Sequence, residues 1–233
     1  MISTAVLRTV QVGTPRRYPA DRPARGTGGS WETSFVREPS PDRRRLFFTH
    51  LDGNEQADRK NHGTPNQAVL LYAAGHYPDW REELGLPEIG PGGFGENFTV
   101  DGVSEATVCV GDTYAVGDAC IQVTGPRYPC TKIGRRWNIP ALTGRVAETG
   151  RTGWYCRVLK EGWVEPGLSM ERIDRPHPEV SVALVNHLVH GGNRDLGLAR
   201  EVATCPALEE WWQRLIVRRA TGKEWWRRRV DGP

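Results

Sequence analysis

Three polar segments carry residue types that could do chemistry. In the first, an apolar run at 121–124 enters Gly125-Pro126 and emerges as Arg127-Tyr128-Pro129-Cys130-Thr131-Lys132. Pro126 and Pro129 each fix a backbone angle, so a thiol at Cys130 is held in place. Arg127 and Lys132 flank it, and neighbouring cations favour the thiolate, the form that attacks electrophiles or ligates a soft metal. The same pattern also describes a loop cysteine with incidental neighbours, and the stretch alone does not choose. The second segment is Gly90-Pro91-Gly92-Gly93-Phe94-Gly95-Glu96-Asn97-Phe98. Its four glycines let backbone N–H groups turn toward an anion or a flat ligand, and Glu96-Asn97 adds hydrogen-bonding groups at a strand entrance. It is neither a Walker loop nor a dinucleotide fingerprint, since no Gly-Lys-Ser/Thr follows it and no helix opens after it. The third, 53–63, is dense in polar residues (Asn54, Glu55, Gln56, Asp58, Arg59, Lys60, Asn61, His62) between two apolar runs. It reads as a solvated loop or a binding loop.

Stepping outward, the elements that must position these segments fall into two textures. Up to about residue 170 the chain reads as short strands with Gly and Pro punctuation: Thr4–Val12 with a period of two, then 45–51, 67–72, 97–100, 107–110 and 119–124. A hairpin is expected from 154–159 to 162–164 across Lys160-Glu161, and one short helix at 78–84, from Pro78 to a stop at Gly85. Residues 13–30, with Pro15, Pro19, Pro23 and several glycines, read as a long irregular loop. After about residue 174 the pattern turns helical. Helices are predicted over 178–189 (stopped by Gly191-Gly192), 193–205 (capped by Asn193 or Asp195) and 206–219. The last carries Leu208, Trp211, Trp212, Leu215 and Ile216 as its apolar stripe and Pro206 in its first turn. The expected fold is therefore mainly β: a barrel over 1–170, a small three-helix unit over 174–219 that packs on it, and a basic tail over 220–233.

Composition narrows the function classes. The 233 residues are 38% hydrophobic, with 9 Trp and 17 Pro, enough for a core. No stretch approaches the roughly 20 apolar residues of a membrane span, and the start of the chain lacks a secretory pattern, so a cytoplasmic protein is expected. The 5 Cys fit that compartment: their number is odd and no pair is spaced C-x-x-C. Net charge is +3, but six cations against two carboxylates from Arg218 onward place +4 in the tail and leave residues 1–217 at −1. A nucleic-acid-binding reading would rest on that tail (Trp225-Trp226-Arg227-Arg228-Arg229) and the helices, and Trp211-Trp212 lies where a helix buries it. A solvated tail is the plainer alternative.

Taken in order, Gln56-Ala57-Asp58…His62-Gly63, Gly95-Glu96-Asn97-Phe98, Gly111-Asp112 and Pro126-Arg127-Tyr128-Pro129-Cys130-Thr131-Lys132 resemble a MOSC domain (molybdenum cofactor sulfurase C-terminal). The trailing helices and Gly150-Arg151-Thr152-Gly153-Trp154-Tyr155-Cys156-Arg157-Val158 resemble its YiiM-like branch, and the resemblance spans about 35–217. It implies a compact β-barrel holding the molybdenum cofactor (molybdopterin), with Cys130 as the molybdenum ligand. It implies an oxidoreductase that reduces N-hydroxylated bases and related small molecules with electrons from a separate donor protein. Arg127 and Lys132 would face the cofactor's anionic groups, and Arg59, His62, Glu96 and Asn97 would contact its pterin and phosphate. His62, with histidine's ordinary pKa of about 6.5, would deliver the proton. The pattern departs at Thr64, where a glycine is usual, and at Gln67, where a lysine is common, which bears on the substrate end. A persulfide carrier built on Cys130, with no resident metal, is the second enzyme reading.

Overall fold

The computed structural model describes residues 4–18, 30–55, 64–192 and 194–222. Strand β1 (Thr4–Val12) opens the chain, followed by β2 (Arg16–Tyr18), β3 (Trp31–Thr33), β4 (Glu38–Pro39), β5 (Arg44–Leu46) and, after a single 3₁₀ turn at Pro65–Gln67, β6 (Val69–Ala73). Helix α1 (His76–Leu84) leads to β7 (Phe98–Asp101), β8 (Thr113–Val116) and β9 (Ala119–Pro126). Helices α2 (Lys132–Trp137) and α3 (Leu142–Thr149) precede β10 (Trp154–Lys160), β11 (Gly162–Val164) and β12 (Ser169–Asp174). Three helices end the described chain: α4 (Val182–His190), α5 (Leu196–Ala203) and α6 (Glu210–Ala220).

Seven strands close into a mixed barrel in the order β1-β12-β8-β9-β10-β6-β7, with β7 returning to β1; β4 extends the sheet beside β1. Only β6–β7 run parallel among these pairings. Alternation along β1 explains its burial: Ala5 and Leu7 face the core while Arg8 faces solvent. A register shift between Leu7 and Thr9 then breaks the period, so Val10 is fully buried where strict alternation puts Thr9. Closure depends on β12, which pairs with both β1 and β8 and carries the barrel to Asp174.

Several expectations need correction. Residues 154–164 form no hairpin: β10 pairs with β9 and β6, while β11 pairs with β5. Only Glu161 separates the two strands, too little chain for a two-residue turn. Residues 107–110 are turns with one bridge, Cys109 to Ser181, and not a strand. Within 13–30, Arg16–Tyr18 pairs with Trp31–Thr33 as a short ribbon. Helices α2 and α3 stand where only strands and turns are expected. Neither has a capping side chain, and each contains a glycine, so local propensity is poor. Tertiary packing forms them instead: Ile133, Leu142 and Val146 are buried with Trp80, Phe94 and Ile89 in one cluster.

The three C-terminal helices are present, each shorter at its start than the sequence reading. Ser181 caps α4 and Asp195 caps α5, each side chain accepting a backbone N–H three residues on. Helix α6 begins at Glu210, leaving Pro206 in the preceding turn. They share a core of Val185, Leu188, Val202, Leu208, Trp212 and Ile216, joined by Val110 from the barrel. The unit therefore packs on the barrel as expected. No helix among the described residues is long and apolar enough to cross a membrane.

Candidate functional site

Strand β9 ends at Pro126, and the next five residues bridge to α2. This bridge is tied down at both ends. The Arg127 amide donates to the Gly153 carbonyl at 2.9 Å, and the Cys130 carbonyl accepts from the Ile133 amide (3.1 Å) and the Thr143 hydroxyl (3.2 Å). Cys130 is partly exposed, so its sulfur is fixed and reachable. The missed helices α2 and α3 are thus what immobilise the thiol. Arg127 is buried; its Nη2 donates toward Cys130 Sγ at 3.6 Å and its Nη1 to the Phe94 carbonyl at 3.2 Å. Its guanidinium lies 5.7 Å from the Phe35 ring centre.

The glycine-rich segment is bound to this loop. Trp137 of α2 donates its indole N–H to the Gly93 carbonyl at 2.8 Å. Gly95 has φ +76°, and a Cβ there would lie 2.6 Å from the Phe35 ring, so only glycine fits beneath the ring that stacks on Arg127.

Glu96 and Asn97 lie in the same region but face inward. The Glu96 carboxylate is fully buried and accepts from the Gly92 amide (2.7 Å), the Phe94 amide (3.1 Å), the Thr99 hydroxyl (3.0 Å) and the Tyr77 hydroxyl. Asn97 accepts from the Leu70 amide at 3.1 Å. The Glu96 side chain holds the glycine loop from within, whereas Asn97, which also donates to the Gln11 carbonyl at 3.4 Å, ties β6 to β1. Lys132 opens α2, partly exposed, two residues after Cys130. Arg59 and His62 lie outside the described residues.

Two residues that the sequence reading passed over complete the site. Arg37, half-buried, donates to Asn54 Oδ1, while its Nε is shut off from solvent and has no hydrogen-bond partner among the described residues. Burial lowers its pKa to about 10; Tyr155 and Glu96 oppose that, and Arg127 adds to it. Burial also pushes the Tyr155 hydroxyl up, with Arg127, Cys130, Arg37 and Glu209 in electrostatic reach. Arg37 is one of many arginines in a Pro- and Arg-rich stretch, so nothing in its local pattern marks it. Tyr155 alternates with the core residues Trp154 and Cys156, a period-two signal that it faces the other side of the wall.

A reachable thiol with a buried guanidinium on its sulfur, and a second, half-buried guanidinium in electrostatic reach of the first, form a donor set for an anionic group bearing a soft metal. Among the described residues no cluster of three or more His, Cys, Asp or Glu could hold a metal ion by itself. Cys130 remains the metal-ligating candidate that the sequence named.

Comparison with known proteins agrees with this geometry. The family model described as "MOSC domain" matches residues 58–171. The "Uncharacterized protein YflK" of Bacillus subtilis (strain 168) is 35% identical over 192 residues, covering 82% of this chain and 86% of that protein. A protein named "Reductase" from Gibberella moniliformis is 38% identical over 162 residues, 68% of this chain but 28% of that longer protein. The crystal structure of YiiM from Geobacillus stearothermophilus superposes with a TM-score of 0.75 at 29% identity, covering 93% of this chain and 99% of that one.

Proposed function

The chain belongs to the MOSC domain family as a YiiM-like protein, and on that premise we propose that it is a molybdenum-cofactor-dependent reductase of N-hydroxylated compounds. One observation carries the reading: the partly exposed Cys130 sulfur is held 3.6 Å from the buried Arg127 guanidinium, so a metal-ligating sulfur and a cation for the cofactor's anionic group stand side by side. The name of the Gibberella relative is consistent with redox chemistry.

In this reading Cys130 ligates the metal, Arg127 and Arg37 neutralise the cofactor's anionic groups, and Lys132 adds charge at the rim. The bound cofactor supplies two-electron chemistry. Reduction breaks the N–O bond of the substrate: two electrons and two protons convert the N-hydroxyl group to N–H and water. Electrons come from a separate donor protein. His62 delivers a proton to the departing oxygen, and its loop lies next in sequence to the turn that carries Gln67.

The test is metal and pterin analysis beside turnover, on protein from a cofactor-competent host. Wild type should hold near-equimolar molybdenum and reduce benzamidoxime. Cys130→Ala should lose both, while His62→Gln should keep the metal and lose about a hundredfold in turnover. Molybdenum far below equimolar, together with cyanide-labile sulfur on Cys130, would replace this reading with the persulfide carrier. Full turnover in His62→Gln would remove the proton-donor role.

A further inference from the structure

We infer that Glu105, Thr152 and Asn186 are positioning residues for Arg127, and that α4 of the helical unit thereby sets where that guanidinium stands beside the Cys130 sulfur. The bearing on cofactor loading rests on the reductase reading; the geometry does not. The anchor is one backbone carbonyl. Gly153 accepts from the Arg127 amide at 2.9 Å and from the Thr152 hydroxyl at 2.9 Å. Its φ is +73°, and a Cβ there would lie 2.4 Å from the Leu71 carbonyl oxygen, so glycine alone permits this approach to β6.

Two buried side chains hold that carbonyl in place. Glu105, 4% exposed, accepts the Gly153 amide at 2.7 Å through Oε1, while His76 Nε2 lies 2.6 Å from its Oε2. Asn186, also buried, reaches from α4 and donates Nδ2 to the Gly150 carbonyl (3.1 Å) and the Thr152 hydroxyl oxygen (2.9 Å). A carbonyl only accepts, so Gly150 fixes which end of the amide faces the loop. Asn186 Oδ1 is closed to solvent and has no partner among the described residues. Burying that oxygen unpaired costs free energy, which argues for a use of the donor end.

Helix α4 also holds Glu105 itself, since the Ala183 amide donates to the Glu105 carbonyl at 2.8 Å. The path to the thiol is continuous. It runs from Asn186 to Thr152, to Gly153, to Arg127, and from Arg127 Nη2 to Cys130 Sγ at 3.6 Å. Hydrogen bonds in such a chain polarise one another, and a group displaced by about 1 Å loses much of its effect.

The test alkylates Cys130 in the full chain, prepared without cofactor, with iodoacetate, an anion, and with iodoacetamide, its neutral analogue. Both reagents consume the same thiolate, so the ratio of their rates reads the positive charge beside the sulfur and not the amount of thiolate. Peptide mass spectrometry follows each cysteine, and the partly exposed Cys120 is the internal reference. Arg127→Leu should lower the ratio about tenfold, and Thr152→Val, Asn186→Leu and Glu105→Met should each lower it about fivefold. Thr152→Ser and Glu105→Gln, which keep the hydroxyl and the acceptor oxygen, should stay within about twofold of wild type. Loss of a carboxylate by itself favours the anionic reagent, so the fall in Glu105→Met runs opposite to a plain charge effect. Val185→Ala, which thins the helical core one position before Asn186, should lower the melting temperature and leave the ratio unchanged. A rise in Glu105→Met, an unchanged ratio in Asn186→Leu and Thr152→Val, or an equal fall in Val185→Ala overturns the inference. Alkylation needs no metal, so a protein that never loads molybdenum yet shows these ratios would sink only the reductase reading. A loaded, active enzyme whose Asn186→Leu and Thr152→Val variants keep the wild-type ratio would sink only this inference.

Discussion

Residues at the site divide by what their polar atoms already do. Glu96 and Asn97 stand in the recognisable motif, yet Glu96 bonds Gly92, Phe94 and Thr99 and so holds the loop in shape, while Asn97 bonds Leu70 and Gln11 and so ties neighbouring strands. Arg37 is the reverse case: no motif marks it, but it carries a half-buried charge whose Nε is closed to solvent and unpartnered among the described residues. Fold stability alone gives little reason to keep such a group, because replacing a buried ion by an apolar side chain of similar volume is often neutral or stabilising. Arg37→Met should therefore leave the melting temperature unchanged or higher. Asn54 Oδ1 keeps a donor in that variant, the Gly13 amide at 3.3 Å. Cofactor content, read by metal analysis and pterin fluorescence, should fall at least about tenfold for loss of one charge-assisted contact. A large loss of stability with normal loading would assign Arg37 to the fold.

Elements carry the next set of consequences, above all where helices meet the Cys130 loop. Tyr128 projects from that loop into the helical unit, where its ring lies 5.4 Å from those of His190 and Trp211 and 6.1 Å from that of Trp212. The sequence pattern places both tryptophans in the apolar stripe of α6. The structure buries Trp212 at 2% exposure and leaves Trp211 44% exposed. Adjacent helical positions differ by about 100° in direction, so a Trp-Trp pair cannot both face one core. At Gly125 (φ +148°) a Cβ would lie 3.0 Å from the Trp212 ring, so glycine there permits the close docking of α6. His190 ends α4, and burial, then the Arg219 guanidinium, lower its pKa to about 4. A histidine held neutral in the fold but free to protonate when unfolded stabilises the protein fully above the unfolded value of about 6.5. That contribution falls as pH drops from about 6.5 to about 4, by up to about 3 kcal/mol. Urea unfolding from pH 7 to 4.5 should show the decline, and His190→Phe should flatten it.

At the scale of the whole molecule, an ion pair closes the seam between the end of β12 and the turn that precedes β8, with Asp112 buried and Arg175 partly exposed. Asp112, after the Gly111 turn, receives Arg175 Nε (2.7 Å) and Nη2 (2.5 Å), and also the Cys109 amide (2.9 Å); Arg175 directly follows β12. Asp112→Ala would leave a guanidinium and an amide without their acceptor, at a cost of about 3 kcal/mol in urea unfolding. A shift below about 1 kcal/mol, the value of an exposed pair, would show that the seam holds without it. The sequence by itself determined the architecture and the thiol. Strand alternation with Gly and Pro breaks, the 3.6-residue stripes after residue 174, and the ordered segments ending at Cys130 are local signals, legible because they repeat or sit close together along the chain. Tertiary structure alone decided how the barrel closes through β12, where β11 pairs, that two short helices form behind Cys130, and that Arg37 and Tyr155 come into electrostatic reach of Arg127. Those positions are separated by long stretches of chain and have no common spacing. What unites them is the free energy of burying the barrel wall against Phe35, α2 and α6, a sum over non-local contacts that no local pattern contains.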